Sequence, residues 1–224
     1  LKSFMEGCSP PRDGEADASQ GIGIRAHLCN TPEALSSLLS PCYSLLVAAG
    51  DHLVAPAWNA VAAAAISAVG YVASAIGHIF RRFYANFSPI AMAFYAGGQG
   101  GSADARRGAA LIAAAQFGEA IGWDTFASSS TAGTMGSQSD AEQLLRVVAA
   151  LIDKCNPFEL CGTLRSNALE ASLIIAAAAD KASTQAPYFQ PFISQVMGSL
   201  CAALVSNDIE LLQDGNGGNV PSTS

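Results

Sequence analysis

The sequence predicts an all-α protein, a helical bundle of five to seven helices, from three observations. Apolar residues recur at spacings of three and four along each long segment, which marks one buried face of a helix. No alternation of apolar and polar residues, the pattern of a half-buried strand, continues beyond four positions. Half of the 224 residues are hydrophobic and only 13 % are charged, so the chain can fill a sizeable core.

The chain divides into three parts. Residues 1–30 are rich in proline, glycine and acids and are expected to form an extended N-terminal arm. A helical domain is expected over 31–213, and a flexible tail over 214–224. The small polar residues of the 128–139 loop are the best candidate for a subdivision of the helical domain.

The first helix begins at residues 31–33, where Thr-Pro-Glu supplies a hydroxyl N-cap, a proline at the first helical position and an early acid. Pro41 interrupts its apolar stripe and predicts a kink or two short helices, because proline cannot donate the helical hydrogen bond.

A run without Asp, Glu, Lys or Arg follows, at residues 53–80. It predicts a central apolar helix, at about 57–80, that is either the core of the bundle or a single membrane span. About 24 residues give roughly 36 Å of helix, enough to cross a hydrocarbon layer of ~30 Å. Alanine favours insertion only weakly, and Asn59 and His78 oppose it, so we prefer the buried helix.

Small residues form a ridge on this helix, with spacings of 4, 3, 4 and 3 along one face. Such a ridge predicts that the backbone of another helix packs closely against it. Its members are Ala63, Ser67, Gly70, Ser74 and Gly77.

Further helices are expected at 88–98, 103–126, 140–155, 166–183 and 187–213. Ser88 and Pro89 are expected to start the first of these, and Ser139 or Asp140 to cap the third.

Six cysteines favour an oxidising compartment over the alternative, reduced thiols packed in the core. In such a compartment at least one pair is expected to be bridged, Cys8–Cys29 or Cys155–Cys161, because both pairs close short loops beside turn residues. With the apolar run, they favour a secreted, organelle-lumenal or membrane-associated protein over a cytosolic one.

No catalytic motif occurs in the sequence, so we expect a protein that is not an enzyme. The net charge of −7 argues against nucleic acid as a partner. His78 is a candidate ligand for the metal of a pigment, although we prefer to interpret it as a histidine that the helix dipole stabilises at the end of its helix. A metal site made by protein groups alone is not expected. Trp123, Phe189 and Phe192 either line an apolar ligand pocket or fill the core.

These features favour a non-catalytic helical structural or assembly protein, a subunit of a larger complex. Other protein subunits are then the expected partners, a membrane is a further one if residues 53–80 span it, and a small-molecule substrate is not expected. The alternative is a carrier of an apolar ligand, such as a lipid or pigment, within the bundle. The sequence requires no cofactor.

Overall fold

The computed structural model describes residues 30–52, 55–97, 102–130, 139–154 and 162–180, together with the single positions Ser194 and Gly198. Of these residues 94 % are helical and none lies in a strand, which confirms the predicted all-α class. The α-helices are α1 (Pro32–Asp51), α2 (Pro56–Ile76), α3 (Arg81–Ala96), α4 (Ser102–Ile121), α5 (Trp123–Ser128), α6 (Asp140–Lys154) and α7 (Gly162–Asp180). A 3₁₀ turn, Gly77–Phe80, joins α2 to α3.

Two prolines lie inside helices that the sequence predicted to break or begin there. Pro41 lies within α1, and Pro89 lies within α3 rather than at its start. Both prolines are exposed, and so are Ser37 and Ala85, the residues four positions earlier whose carbonyl groups lose a helical donor. Water can hydrate these carbonyl groups, so each helix continues without a buried unpaired acceptor.

Two glycines end helices within segments that were predicted to be continuous. Gly77 has φ +59° and closes α2, so the predicted helix at 57–80 gives way to the 3₁₀ turn. Gly122 has φ +88° and separates α4 from α5 inside the predicted helix at 103–126. These backbone angles are open to glycine and strained for other residues, which explains why both breaks occur at glycine.

The most enclosed helix is α4. Among residues 103–121, 13 of 19 are buried, against 10 of the 21 residues of α2. It packs against α2, α3, the 3₁₀ turn, α5, α6 and α7. Alanines dominate its buried positions, which brings the neighbouring helices close on every side.

The buried apolar residues of the described helices form one cluster. Helices α6 and α7, which follow the 128–139 loop, pack against α4, which precedes it. The backbone N–H of Asp140 donates to the carbonyl of Ser129 at 2.9 Å and brings the two ends of that loop together. The described residues on both sides of the loop therefore share a core.

One described helical stretch, Pro56–Ala96, is long and apolar enough to cross a membrane by length and composition. Half of its most apolar window is buried inside the protein. The buried side of α2 packs on α4 and α1, and the exposed Arg81 and Arg82 lie in the middle of the stretch.

Candidate functional site

The structure describes all five ridge positions and buries Gly70 alone among them. A Cβ atom on Gly70 would lie 3.1 Å from Cα of Ala113 and 2.1 Å from the Gln116 side chain, so the backbones of α2 and α4 approach closely there. Ser74 is exposed, and a Cβ on Gly77 would meet nothing within 4 Å. The close approach therefore does not extend along the ridge to Gly77, because α2 ends there.

The two histidines that the structure describes are exposed. His78 lies in the 3₁₀ turn and not on a buried apolar face, so its imidazole can be hydrated and needs no buried partner. His52 stacks on Trp58, with ring centres 5.5 Å apart, where α1 ends and α2 begins. Within the described part of the chain, no group of three or more histidine, cysteine or acidic residues could hold a metal ion.

Trp123, one of the predicted pocket residues, is 3 % exposed and packs edge-on against Phe126, with ring centres 5.0 Å apart. Phe126 in turn meets Tyr84 edge-on at 6.1 Å. These contacts between aromatic rings join α5 to α3 and place Trp123 within the packed core. Phe189 and Phe192, the other predicted pocket residues, lie outside the described residues.

The cysteines named as disulfide candidates, Cys8, Cys29, Cys155 and Cys161, also lie outside the described residues. Cys42 is described and is a free thiol on α1. Its Sγ lies 3.9 Å from the carbonyl oxygen of Leu38, and partial burial raises the pKa of the thiol. A raised thiol pKa disfavours the reactive thiolate, so Cys42 serves as a small packing residue.

A buried acid joins α6 to α3. Asp140 is 1 % exposed, and its Oδ2 accepts hydrogen bonds from the hydroxyl groups of Tyr84 and, at 3.3 Å, of Ser88. Asp140 is the first residue of α6, where the unpaired N–H groups of the helix favour a negative charge. Ser139, one of the two capping residues that the sequence allowed, caps the helix, since its Oγ accepts from the N–H of Glu142 at 3.2 Å.

This polar cluster is poorly suited to catalysis. Burial, and then the hydrogen bond to Asp140, raise the pKa of Tyr84, and burial and the charge of Asp140 raise the pKa of Tyr95. Both phenols therefore keep their protons at neutral pH, and neither acts as a base or nucleophile. Tyr84 and Ser88 are 7 % and 2 % exposed, so a substrate has no access to the hydroxyl groups. The cluster cross-links two helices.

A buried basic side chain, the guanidinium of Arg106, lies near the start of α4. Arg106 is 2 % exposed; its Nη1 donates to Oδ1 of Asn59 at 2.7 Å and its Nη2 donates to the carbonyl of Gly97 at 3.3 Å. The guanidinium carbon lies 5.3 Å from the centre of the Phe94 ring. Nε is buried and has no hydrogen-bond partner within the described part of the chain.

No carboxylate forms an ion pair with Arg106 among the described residues, and its partners there are neutral. Burial, and then the neighbouring charge of Arg107, lower the pKa of Arg106. Sequence analysis missed this residue because it sits in an alanine-rich helix with no single apolar face. The absence of a single apolar face on this helix could have indicated it, because a helix that is enclosed on all sides also buries its charged side chains.

The outer face of α1 is the described surface best suited to binding. Tyr43 and Val47, one turn apart, are 42 % and 45 % exposed, and Leu45 across the face is 43 % exposed. The centre of the face holds exposed small residues, Ser37, Ser40 and Ser44. Residues 34–50 carry no charge, so this face (the α1 outer face: Ser37, Ser40, Tyr43, Ser44, Leu45 and Val47) is uncharged throughout.

In comparisons with known proteins, no family model, no curated protein and no solved structure matches this chain.

Proposed function

We propose that this chain is a non-catalytic helical protein that acts by association, as a subunit of a larger protein assembly that contacts it through the α1 outer face. The observation that supports this most is the exposure of Tyr43, Leu45 and Val47 on a helix whose residues 34–50 carry no charge. Apolar side chains that remain exposed around a centre of small residues allow a second helix to approach closely and bury both surfaces.

The chemistry of α1 favours a protein partner over a lipid surface. Helices that lie on membranes carry Lys or Arg beside their apolar face, which bind anionic headgroups. α1 contains neither residue, and the net charge of the chain is −7. An anionic bilayer would repel such a chain, whereas an uncharged protein surface would not.

The charges at the ends of α1 favour a different chain over a second copy. Glu33 and Asp51 are exposed at the two ends, about 27 Å apart along the helix axis. An antiparallel second copy would bring Glu33 of each chain towards Asp51 of the other, and a parallel copy would bring like residues together. The partner that fits is a helix with small or apolar residues in its middle and Lys or Arg at its ends.

Size-exclusion chromatography of an extract from the cells that make the protein tests this proposal. We expect the wild-type chain to elute with a species larger than the monomer, and Val47→Lys to shift it to the monomer position. Val61→Lys is the matched control, because Val61 is 38 % exposed and lies on α2 rather than on α1. Circular dichroism of both purified variants checks that the helices remain folded.

Elution of the wild-type chain as a monomer in that extract contradicts the proposal. So does retention of Val47→Lys in the large species. A shift caused equally by Val61→Lys would show that α1 is not the binding surface.

A further inference from the structure

A basic face lies where the 3₁₀ turn meets α3. His78 in the turn and Arg81 and Arg82 in the first turn of α3 are all exposed. Residues three and four positions apart share one side of a helix, so the imidazole and both guanidinium groups extend from the same side (the basic face: His78, Arg81 and Arg82). Ala85 and Asn86, one turn further along α3, are exposed and uncharged, and they leave this side open to a partner.

No acid close in sequence balances the basic face. Residues 52–103 contain no Asp or Glu, although the whole chain has 18 of them and a net charge of −7. Within the described part of the chain, no acid forms an ion pair with Arg81 or Arg82. The two guanidinium groups are therefore available to the carboxylates of a partner.

Two other arginines show what the basic face lacks. Arg107 pairs with Asp104 at 3.5 Å, and Arg146 pairs with Glu142 at 2.7 Å, each within its own helix. The first turn of α3 holds two arginines and no acid, although the unpaired N–H groups at that end of a helix disfavour positive charge. A choice of residue that the local structure disfavours is expected mainly at functional positions.

We propose that the basic face binds an acidic segment of a partner protein, one that carries at least two Asp or Glu carboxylates. Each guanidinium donates two parallel hydrogen bonds to a carboxylate, which gives arginine its preference for this group. Arg81 and Arg82 are adjacent on the helix and diverge by about 100°, so they hold two separate carboxylates rather than one. The proposal goes beyond the contact through the α1 outer face, because these residues lie on other elements.

The acidity of the whole chain favours a short acidic segment over an extended polyanion. At physiological ionic strength, charges more than about 8 Å apart are largely screened, so a segment bound on the basic face is little affected by acids elsewhere on the protein. A bilayer or a nucleic acid is wider than this face and meets the field of the whole chain, whose net charge is −7. The local charge therefore attracts a peptide more than it attracts a large anionic surface.

Binding of a fluorescein-labelled peptide of ten glutamates to the purified full chain, followed by fluorescence anisotropy, tests the proposal. We expect saturable binding that weakens as salt is added. Arg81→Gln combined with Arg82→Gln should weaken it about tenfold, because two carboxylates lose their donors. Arg146→Gln combined with Arg165→Gln is the matched control, since it removes the same net charge from α6 and α7 and should change the affinity less than about twofold.

Circular dichroism checks that the variants remain folded. If the glutamine variant does not, Arg81→Lys combined with Arg82→Lys replaces it, which keeps the charge, loses the paired hydrogen bonds and should still bind more weakly than the wild type.

Absence of peptide binding overturns the proposal. So does equal weakening by the glutamine variant and its matched control, since net charge alone would then explain the affinity. Vesicles that contain phosphatidylserine are the third arm. If they bind the wild-type chain more tightly than the peptide does, and the glutamine variant abolishes that binding, the basic face contacts a membrane and the proposal is wrong.

Discussion

Two buried ionisable side chains, Asp140 and Arg106, lie in one core and have opposite kinds of surroundings. Each is at most 2 % exposed. Two hydroxyl groups donate to the carboxylate of Asp140. The guanidinium of Arg106 donates to one side-chain amide oxygen and one backbone carbonyl, and its partners in the described part of the chain include no acid.

Their positions on the helices also favour the charge of Asp140 over that of Arg106. Asp140 opens α6, where the helix dipole stabilises a negative charge. Arg106 is in the second turn of α4, close to the end that disfavours a positive charge, and Arg107 follows it. The described surroundings therefore compensate the acid better than the base, although both are equally buried. Removal of Asp140 should accordingly destabilise the protein more than removal of Arg106.

The largest expected effect is that of Asp140→Ala. Hydrogen bonds to a charged group contribute about 1.5–3 kcal/mol each, and the variant removes the acceptor of two of them, so we expect the free energy of unfolding to fall by about 3–4 kcal/mol. Glu142→Ala is the control on the same helix. Its ion pair with Arg146, at 2.7 Å, is partly exposed and should contribute less than about 1 kcal/mol. Urea denaturation measures both, and equal losses would contradict a stabilising role for Asp140.

Stability at alkaline pH tests the same cluster. The folded-state pKa values of Tyr84 and Tyr95 are raised above that of an unfolded tyrosine, which is about 10. Their stabilisation is therefore fully present below pH ~10 and is lost as the pH rises above it. The two phenols together should cost about 3 kcal/mol between pH 9 and pH 11.

Tyr84→Phe separates this loss from other titrations. The wild-type protein should lose about 1.4 kcal/mol more than the variant between pH 9 and pH 11, since one phenol no longer titrates. Urea midpoints at the two pH values give the comparison. Parallel losses in both proteins would show that Tyr84 is not shielded in the folded state.

The sequence predicted the fold class because the helical period of apolar residues is a local property. It located α1, α6 and α7, since each has one buried side and one exposed side, although the break expected at Pro41 in α1 does not occur. It described α4 less well, because a helix that is buried on all sides has no periodic face to detect. Arg106 and Gln116 interrupt its alanines and look like surface residues, yet both are buried.

Glycines show why helix boundaries were harder to predict. Gly77 and Gly122 end helices through positive φ, whereas Gly108 lies inside α4, where a Cβ would be 2.0 Å from the amide nitrogen of Asn167. Both roles require glycine, and the neighbouring residues do not distinguish them. The bond between Tyr84 and Asp140 joins residues 56 positions apart, so no local pattern predicts it.

Arg106→Met tests the buried cation of the comparison, and its expected effect on stability is smaller than that of Asp140→Ala. Methionine retains much of the volume and removes a desolvated charge, but the oxygens of Asn59 and Gly97 lose a donor. We expect a net loss of about 1–2 kcal/mol in the free energy of unfolding. Arg107→Met is the adjacent control, with an ion pair to Asp104 at 3.5 Å and an expected loss of about 0.5 kcal/mol.

A loss from Arg106→Met that exceeds the loss from Asp140→Ala would reverse the comparison. It would show that residues outside the described part of the chain supply a carboxylate to the guanidinium.

The smallest expected effect is that of Ser88→Ala. The Ser88 hydroxyl has one hydrogen to donate, and its Oγ lies 3.3 Å from Oδ2 of Asp140 and 3.7 Å from the sulfur of Met92, so the bond to Asp140 is long and shared. Tyr84 still donates to the same oxygen after the substitution, which limits the loss to about 0.5–1 kcal/mol. Because both hydroxyl groups serve one acceptor and Ser88 also hydrogen-bonds Tyr84, the losses from Tyr84→Phe and Ser88→Ala should depart from additivity by about 0.5–1 kcal/mol. A double-mutant cycle in urea measures this coupling, and strict additivity would show that the two hydroxyl groups do not share Asp140.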